Sequence, residues 1–106
     1  MDTLSALGVP VRRNIIELLA KRGRLSVTEI SKQFDITSSA ISQHLGVLRE
    51  ARLVNVTRQA QLRMYGINPE ALTDIEAWAK TTRQIWETKL DYLDTLIQAE
   101  KQHDSK

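Results

Sequence analysis

The stretch from Ser26 to Val54, SVTEISKQFDITSSAISQHLGVLREARLV, constrains the fold more than any other segment. It reads as two helices joined by a tight turn. Ser26 stands before an apolar-periodic run, and Glu29 follows at the S-x-x-E spacing. In that pattern each side chain satisfies an unpaired backbone N–H of the other residue. Val27, Ile30 and Phe34 then recur at helical spacing. Asp35 and Ile36 interrupt the pattern. Aspartate tolerates a left-handed backbone better than most residues, so Asp35 is expected to serve the turn where glycine is absent. Thr37 is the expected N-cap of the second helix. In that helix Ala40, Ile41, Leu45 and Leu48 share one face, and Ser38, Ser39, Ser42, Gln43 and Gly46 share the other.

The polar face carries the functional signal. An ordinary surface helix is rich in Lys and Glu, which are good helix formers with long solvated side chains. Here the exposed positions are short hydroxyls, one Gln and a Gly. Ser and Gln both donate and accept hydrogen bonds, so they can read base edges, and small residues let the backbone come close to a groove. A merely polar helix on a small bundle is the plainer reading. The segment that follows favours the first. Val54 to Arg58 alternates in a β-prone way, Gln59-Ala60-Gln61 reads as a turn, and Leu62 to Ile67 as the returning strand. A hairpin directly behind two such helices forms a wing. Its arginines, Arg58 and Arg63, flank the tip and are placed to meet phosphates or a minor groove. A solvated hairpin with solubilising arginines is the alternative for each residue taken singly.

The C-terminal third is different. Asn68 and Pro69 are helix-start signals, and nothing breaks a helix from Glu70 to about Glu100. Its apolar residues, among them Trp78, Ile85, Trp86, Leu90, Leu93 and Ile97, form a wide stripe that a small core cannot cover. A second copy of the chain is the simplest partner, and a hairpin folded back on its own domain is the alternative. The polar residues Lys101 to Lys106 are expected to fray.

Charge is unevenly placed. Residues 1–66 hold 10 Lys/Arg against 5 Asp/Glu, a net of +5, whereas residues 67–106 hold 5 against 8, a net of −3. One basic half suits a chain that turns a single side to a polyanion, with Arg12, Arg13, Lys32, Arg49, Arg58 and Arg63 as candidates for that side. Residues 38–48 carry no Lys or Arg, so affinity must come from flanking residues while the helix reads sequence. At 106 residues a single domain is expected, with the two helices at 26–50, the wing at 54–67 and the long helix at 69–100. No run is long enough to span a bilayer and no signal-peptide pattern is present, so a cytoplasmic location is expected. The absence of cysteine excludes a disulfide framework and thiolate chemistry. No Ser/His/Asp spacing, Gly-rich phosphate loop or paired-carboxylate motif supports an enzyme.

With these elements in place, the chain resembles ArsR-type winged helix-turn-helix regulators. The resemblance rests on Gly8-Val9-Pro10-Val11-Arg12-Arg13, similar to the family's opening D-P-x-R-R. It rests also on Leu18-Leu19, on Thr28-Glu29-Ile30 and on Ile41-Ser42-Gln43-His44-Leu45-Gly46-Val47-Leu48, similar to V-S-x-H-L-x-x-L. Ala51-Arg52-Leu53-Val54 is similar to A-G-L-V, and Tyr65 to Leu72 to Y-x-L-x-P-E-A-L. The match spans roughly residues 4 to 97. Three positions depart from it. Arg52 replaces a usual Gly, Ala60 stands near a common wing-tip Gly, and Val9 replaces the Asp before Pro10, which removes an N-cap candidate.

The resemblance implies a mainly α fold with a small β-hairpin and a long C-terminal dimerisation helix. It implies that the first and last helices form the dimer interface, so Leu4 and Leu7 join the stripe residues there. It also implies a homodimeric repressor on an inverted-repeat operator in double-stranded DNA. Base readout is expected from Ser38, Ser39, Ser42 and Gln43, and phosphate contact from Thr37, His44, Arg49, Arg58 and Arg63. The family's metal sites use Cys, or His/Asp/Glu pairs on the last helix. Here only His44 and His103 are present, so the chain is similar to a cysteine-free branch and no metal or cofactor is expected. Two alternatives stay open: a metal-responsive repressor with unusual oxygen and His ligands, and a winged-helix module that binds protein.

Overall fold

The computed structural model describes residues 3–104. The order is α1 (Thr3–Ala6), α2 (Pro10–Arg22), α3 (Val27–Ser31), α4 (Ser38–Glu50), β1 (Val54–Gln59), β2 (Leu62–Ile67) and α5 (Pro69–Asp104). The fold is mainly helical with one antiparallel hairpin, as the sequence predicts. Its contacts fall into two compact units, Met1–Ile75 and Glu76–Lys106. The first holds the helix pair, the hairpin and the first turns of α5.

The core of the first unit follows from the periodicity. Ile15, Ile30, Ile41, Leu45, Leu48 and Leu53 are its largest fully buried side chains. Ala6, Ile16, Leu19, Leu25, Ala51, Val54, Tyr65 and Ala71 join them, so every element from α1 to the start of α5 contributes. Burying a residue such as Leu or Ile contributes roughly 1.5–3 kcal/mol. The inward face of α4 is therefore a firm anchor for its outward face.

Local chemistry explains the helix ends. Pro10 starts α2 at a position where its missing N–H costs nothing, and Val9 before it makes no side-chain cap. Gly23 closes α2 at φ 82°, donating its N–H to the Leu19 carbonyl at 2.8 Å. Both halves of the Ser26/Glu29 capping box are present. The Thr37 hydroxyl accepts from the Ala40 N–H at 3.1 Å, as an N-cap does.

The turn between α3 and α4 corrects two expectations. Helix α3 ends at Ser31, so Phe34 lies in the turn, although it still packs on the core. Asp35 does not take a left-handed backbone: among the described residues the non-glycine ones with positive φ are Arg52 and Ala60. The reason is the bonding of the turn. Gln33 donates to the Ile30 carbonyl and Phe34 to that of Ser31, at 3.0 and 3.2 Å. These short-range bonds keep the chain right-handed while it leaves the helix.

The hairpin is tighter than predicted. Gln59 belongs to β1 and pairs with Leu62, leaving a two-residue turn at Ala60-Gln61. Ala60 has φ 57°, and positive φ at the first central position is what a type II′ hairpin requires. Leu25 adds a one-residue third strand by exchanging backbone bonds with Tyr65 at 3.0 and 2.8 Å.

Helix α5 is a single helix of 36 residues, about 54 Å at 1.5 Å per residue. No hairpin interrupts it. It runs to Asp104, so residues 101–104, expected to fray, are helical; Ser105 and Lys106 lie outside the described residues. Within the second unit every described side chain of the stripe is exposed, including Trp78, Ile85, Trp86, Leu90, Leu93 and Ile97. No helix among the described residues is long and apolar enough to cross a membrane.

Candidate nucleic-acid interface

Helix α4 presents its polar residues as a row. At about 100° per residue, Ser39, Gln43 and Gly46 lie opposite the buried Ile41, Leu45 and Leu48. Ser38, Ser42 and Arg49 lie on one flank and the half-buried His44 on the other. Ser38, Ser39, Ser42, Gln43 and Arg49 are exposed. Ser38 is less free than the sequence suggests, because its Oγ lies 3.1 Å from Oγ of Ser31. That pair ties the start of α4 to the end of α3. Thr37 is exposed, with its hydroxyl engaged as the cap.

Gly46 adds an observation of its own. A Cβ built there would meet nothing within 4 Å. The fold does not require a glycine at this position, and mid-helix glycine costs roughly 0.5–1 kcal/mol relative to alanine.

The wing places its arginines on a defined face. In the hairpin register Val54, Val56 and Arg58 pair with Ile67, Tyr65 and Arg63. The core-facing side of the hairpin thus ends, at the tip, in two opposed arginines. Among the described residues neither they nor Arg49 nor Lys32 forms an ion pair; the pair that does form is Arg83–Glu87, at 3.9 Å on the exposed part of α5. Arg13 is exposed and spends one donor on the Leu7 carbonyl at 3.1 Å. Arg12 is half-buried, with Nε unbonded.

Sequence reasoning did not nominate Arg24. Its Nη1 donates to Oδ1 of Asn55 at 2.8 Å and lies 3.5 Å from Oγ1 of Thr57. The signal was faint, since one arginine between two helices has no pattern to mark it. The Glu29 carboxyl is held below the usual carboxylate range. The Ser26 backbone N–H and then its hydroxyl stabilise the charged form, with Arg22 and Lys32 adding to this.

No three His, Asp or Glu side chains converge among the described residues. The side chain of His103 lies outside the described residues. A groove of about 530 Å³ runs beside Thr81, Gln84, Ile85, Thr88, Lys89 and Tyr92. All six are on α5, and one helix cannot enclose a ligand, so this is the relief of the exposed stripe and not a cavity. Leu4 is exposed, while Leu7 is partly buried against the core.

Comparison with known proteins agrees with this architecture. Residues 9–56 match the family model described as bacterial regulatory protein, arsR family. The transcriptional repressor SdpR of Bacillus subtilis is 32% identical over 77 residues, covering 73% of this chain and 84% of that protein. The HTH-type transcriptional regulator YgaV of Escherichia coli is 34% identical over 77 residues, covering 73% and 78%. A crystal structure of an ArsR family transcriptional regulator superposes with a TM-score of 0.71 at 30% identity, covering 79% of this chain and 86% of that one. An ArsR-like regulator from Rhodococcus, at 19% identity, shares the fold with a TM-score of 0.79 over 88% and 87% of the two chains. The chain therefore belongs to the ArsR family and is a helix-turn-helix transcriptional regulator, not an enzyme.

Proposed function

We propose that the protein is a homodimeric, sequence-specific repressor that binds an inverted-repeat operator without using a metal. The observation that carries this is the outward row of α4. Short hydroxyls, Gln43 and an unforced Gly46 stand where a solvated helix would carry long charged side chains. Ser39, Ser42 and Gln43 read base edges in the major groove, with Ser38 at the helix start. Thr37, His44, Arg49, Arg58 and Arg63 set the register on the phosphates. Two copies joined through α5, Leu4 and Leu7 place two such helices in successive major grooves, about 34–36 Å apart. The exposed stripe of α5 supports the dimer. The name of the Bacillus relative supports repression.

Selection of binding sites from random duplexes tests the reading. It expects an enriched palindrome whose half-sites are centred one helical turn apart. Recovery of no sequence preference, or of single half-sites bound by one chain, overturns it. Nothing in the comparisons favours the protein-binding module over this reading.

A further inference from the structure

We propose that Arg24 is a positioning residue for DNA binding: it clasps the outer face of the wing and holds Arg58 and Arg63 in place. The inference rests on the reading of the hairpin as a DNA-contacting wing. Arg24 immediately precedes Leu25, which is bonded to Tyr65 as a third strand beside β2. Its side chain therefore starts at the sheet edge. From there it crosses β2 at Gly66, where an added Cβ would meet its Cγ at 2.9 Å, Nη1 at 3.1 Å and Cζ at 3.2 Å. It then reaches β1, where Nη1 donates to Asn55 at 2.8 Å and lies 3.5 Å from the Thr57 hydroxyl.

Three features of the hairpin fit this path. Asn55 and Thr57 offer acceptors on one face of β1, and Gly66 is the direct cross-strand partner of Asn55. Gly66 has no positive φ, so its backbone does not ask for glycine. Room for Arg24 explains it. The acceptors are neutral and Arg24 has no carboxylate partner among the described residues. A planar guanidinium with donors in a fixed fork suits a contact that must span two strands. The core holds the base of the hairpin through Val54 and Tyr65, and the Arg24 tie holds its outer face across both strands, nearer the tip that presents two like charges.

Gly66→Ala is the informative variant, since it evicts the Arg24 side chain while keeping its charge. Both Arg24→Ala and Gly66→Ala are expected to weaken binding to a duplex selected by the wild-type protein by about 3- to 10-fold, the range of one lost hydrogen-bond contact. The slope of log affinity against log salt should hold in Gly66→Ala. Hydrogen exchange should quicken at the amides of β1 and β2 and not at those of α4. Adding Arg24→Ala to an Arg58→Ala/Arg63→Ala double variant should cost nothing further. Unchanged hairpin exchange in both variants overturns the clasp. So does a loss in Arg24→Ala alone with the salt slope reduced by about one, which marks a direct phosphate contact. If the Arg58/Arg63 double variant binds as well as wild type, the wing reading itself fails, and the exchange data still decide whether the clasp exists.

Discussion

Arg58 and Arg63 face each other directly across the hairpin, two residues of like charge at the tip of one face. Like charges directly opposite each other destabilise a ribbon. No carboxylate offsets them among the described residues. Replacing either with Ala should therefore leave folding unchanged or slightly better. Binding should weaken on operator and random DNA alike, and the salt slope should fall by about one per lost phosphate contact. Urea melts and salt-dependent titrations of the same variant check both signs; an unchanged slope means the wing arginines do not touch phosphate.

Gln43 faces away from the buried side of α4 and is exposed. Gln43→Ala should cost about 1–3 kcal/mol on the selected operator and little on random duplexes. Equal losses on both would make Gln43 a backbone contact. Gly46→Ala should behave in the opposite sense for folding. It should stabilise the protein by about 0.5–1 kcal/mol, because no atom lies within 4 Å of the added carbon, yet weaken operator binding.

Arg52, which stands where the family usually has Gly, and Ala60, which stands near a common wing-tip Gly, are the two non-glycine residues with positive φ among the described residues. Arg52 has φ 61° and Ala60 φ 57°. A left-handed non-glycine residue costs roughly 1–2 kcal/mol, and glycine costs roughly 0.5–1 kcal/mol of extra chain entropy on folding. Arg52→Gly and Ala60→Gly should each stabilise the fold by about 0.5–1 kcal/mol, seen as a raised Tm. Arg52 is held there partly by Asn68, whose Nδ2 donates to its carbonyl at 2.8 Å while its Oδ1 caps α5. A lowered Tm in both variants would show that neither backbone is strained.

What the sequence made legible was whatever local chemistry decides. The Ser26/Glu29 box, the Thr37 and Asn68 caps and the buried face of α4 each depend on residues within a turn or two of one another. The hairpin pairing was legible from alternation, but not its two-residue turn, because Ala60 gives no glycine signal for positive φ. The turn at 32–35 misled for the converse reason. Aspartate permits a left-handed backbone without requiring it, and backbone bonds to Ile30 and Ser31 settled the matter. The Arg24 contacts join residues about thirty positions apart, and the Ser31–Ser38 contact needs the angle between two helices. No periodicity encodes either.

Glu29 makes part of the stability depend on pH. Its folded pKa lies below the ordinary value of 4.5, chiefly through the bond from the Ser26 N–H. A depressed carboxylate pKa stabilises fully above the unfolded value, and that contribution is lost as pH falls through the folded one. The stability advantage of the wild type over Glu29→Gln should therefore be constant from neutral pH down to about pH 5 and shrink below it. Melts of both proteins across that range check it. A difference that stays the same at pH 3 would show that the charge of Glu29 plays no part.

The exposed stripe of α5 sets the last expectation. Trp86, Leu90, Leu93 and Ile97 recur at helical spacing, and each is more than two-fifths exposed. Solvated side chains of this size are unfavourable unless something covers them, and each contributes roughly 1.5–3 kcal/mol when buried. A few from each of two chains suffice for a stable pair. Because none of these side chains lies in the core, Leu90→Lys with Leu93→Lys should leave the helix-turn-helix and hairpin folded. The intact chain should sediment as a dimer at micromolar concentration and the variant as a monomer. Operator affinity should fall steeply in the variant, since one half-site makes few contacts and the outward row of α4 supplies no positive charge. Binding of the selected duplex should then rise with protein concentration only through single half-sites. A wild-type monomer that binds the full operator unimpaired would sink the dimer reading.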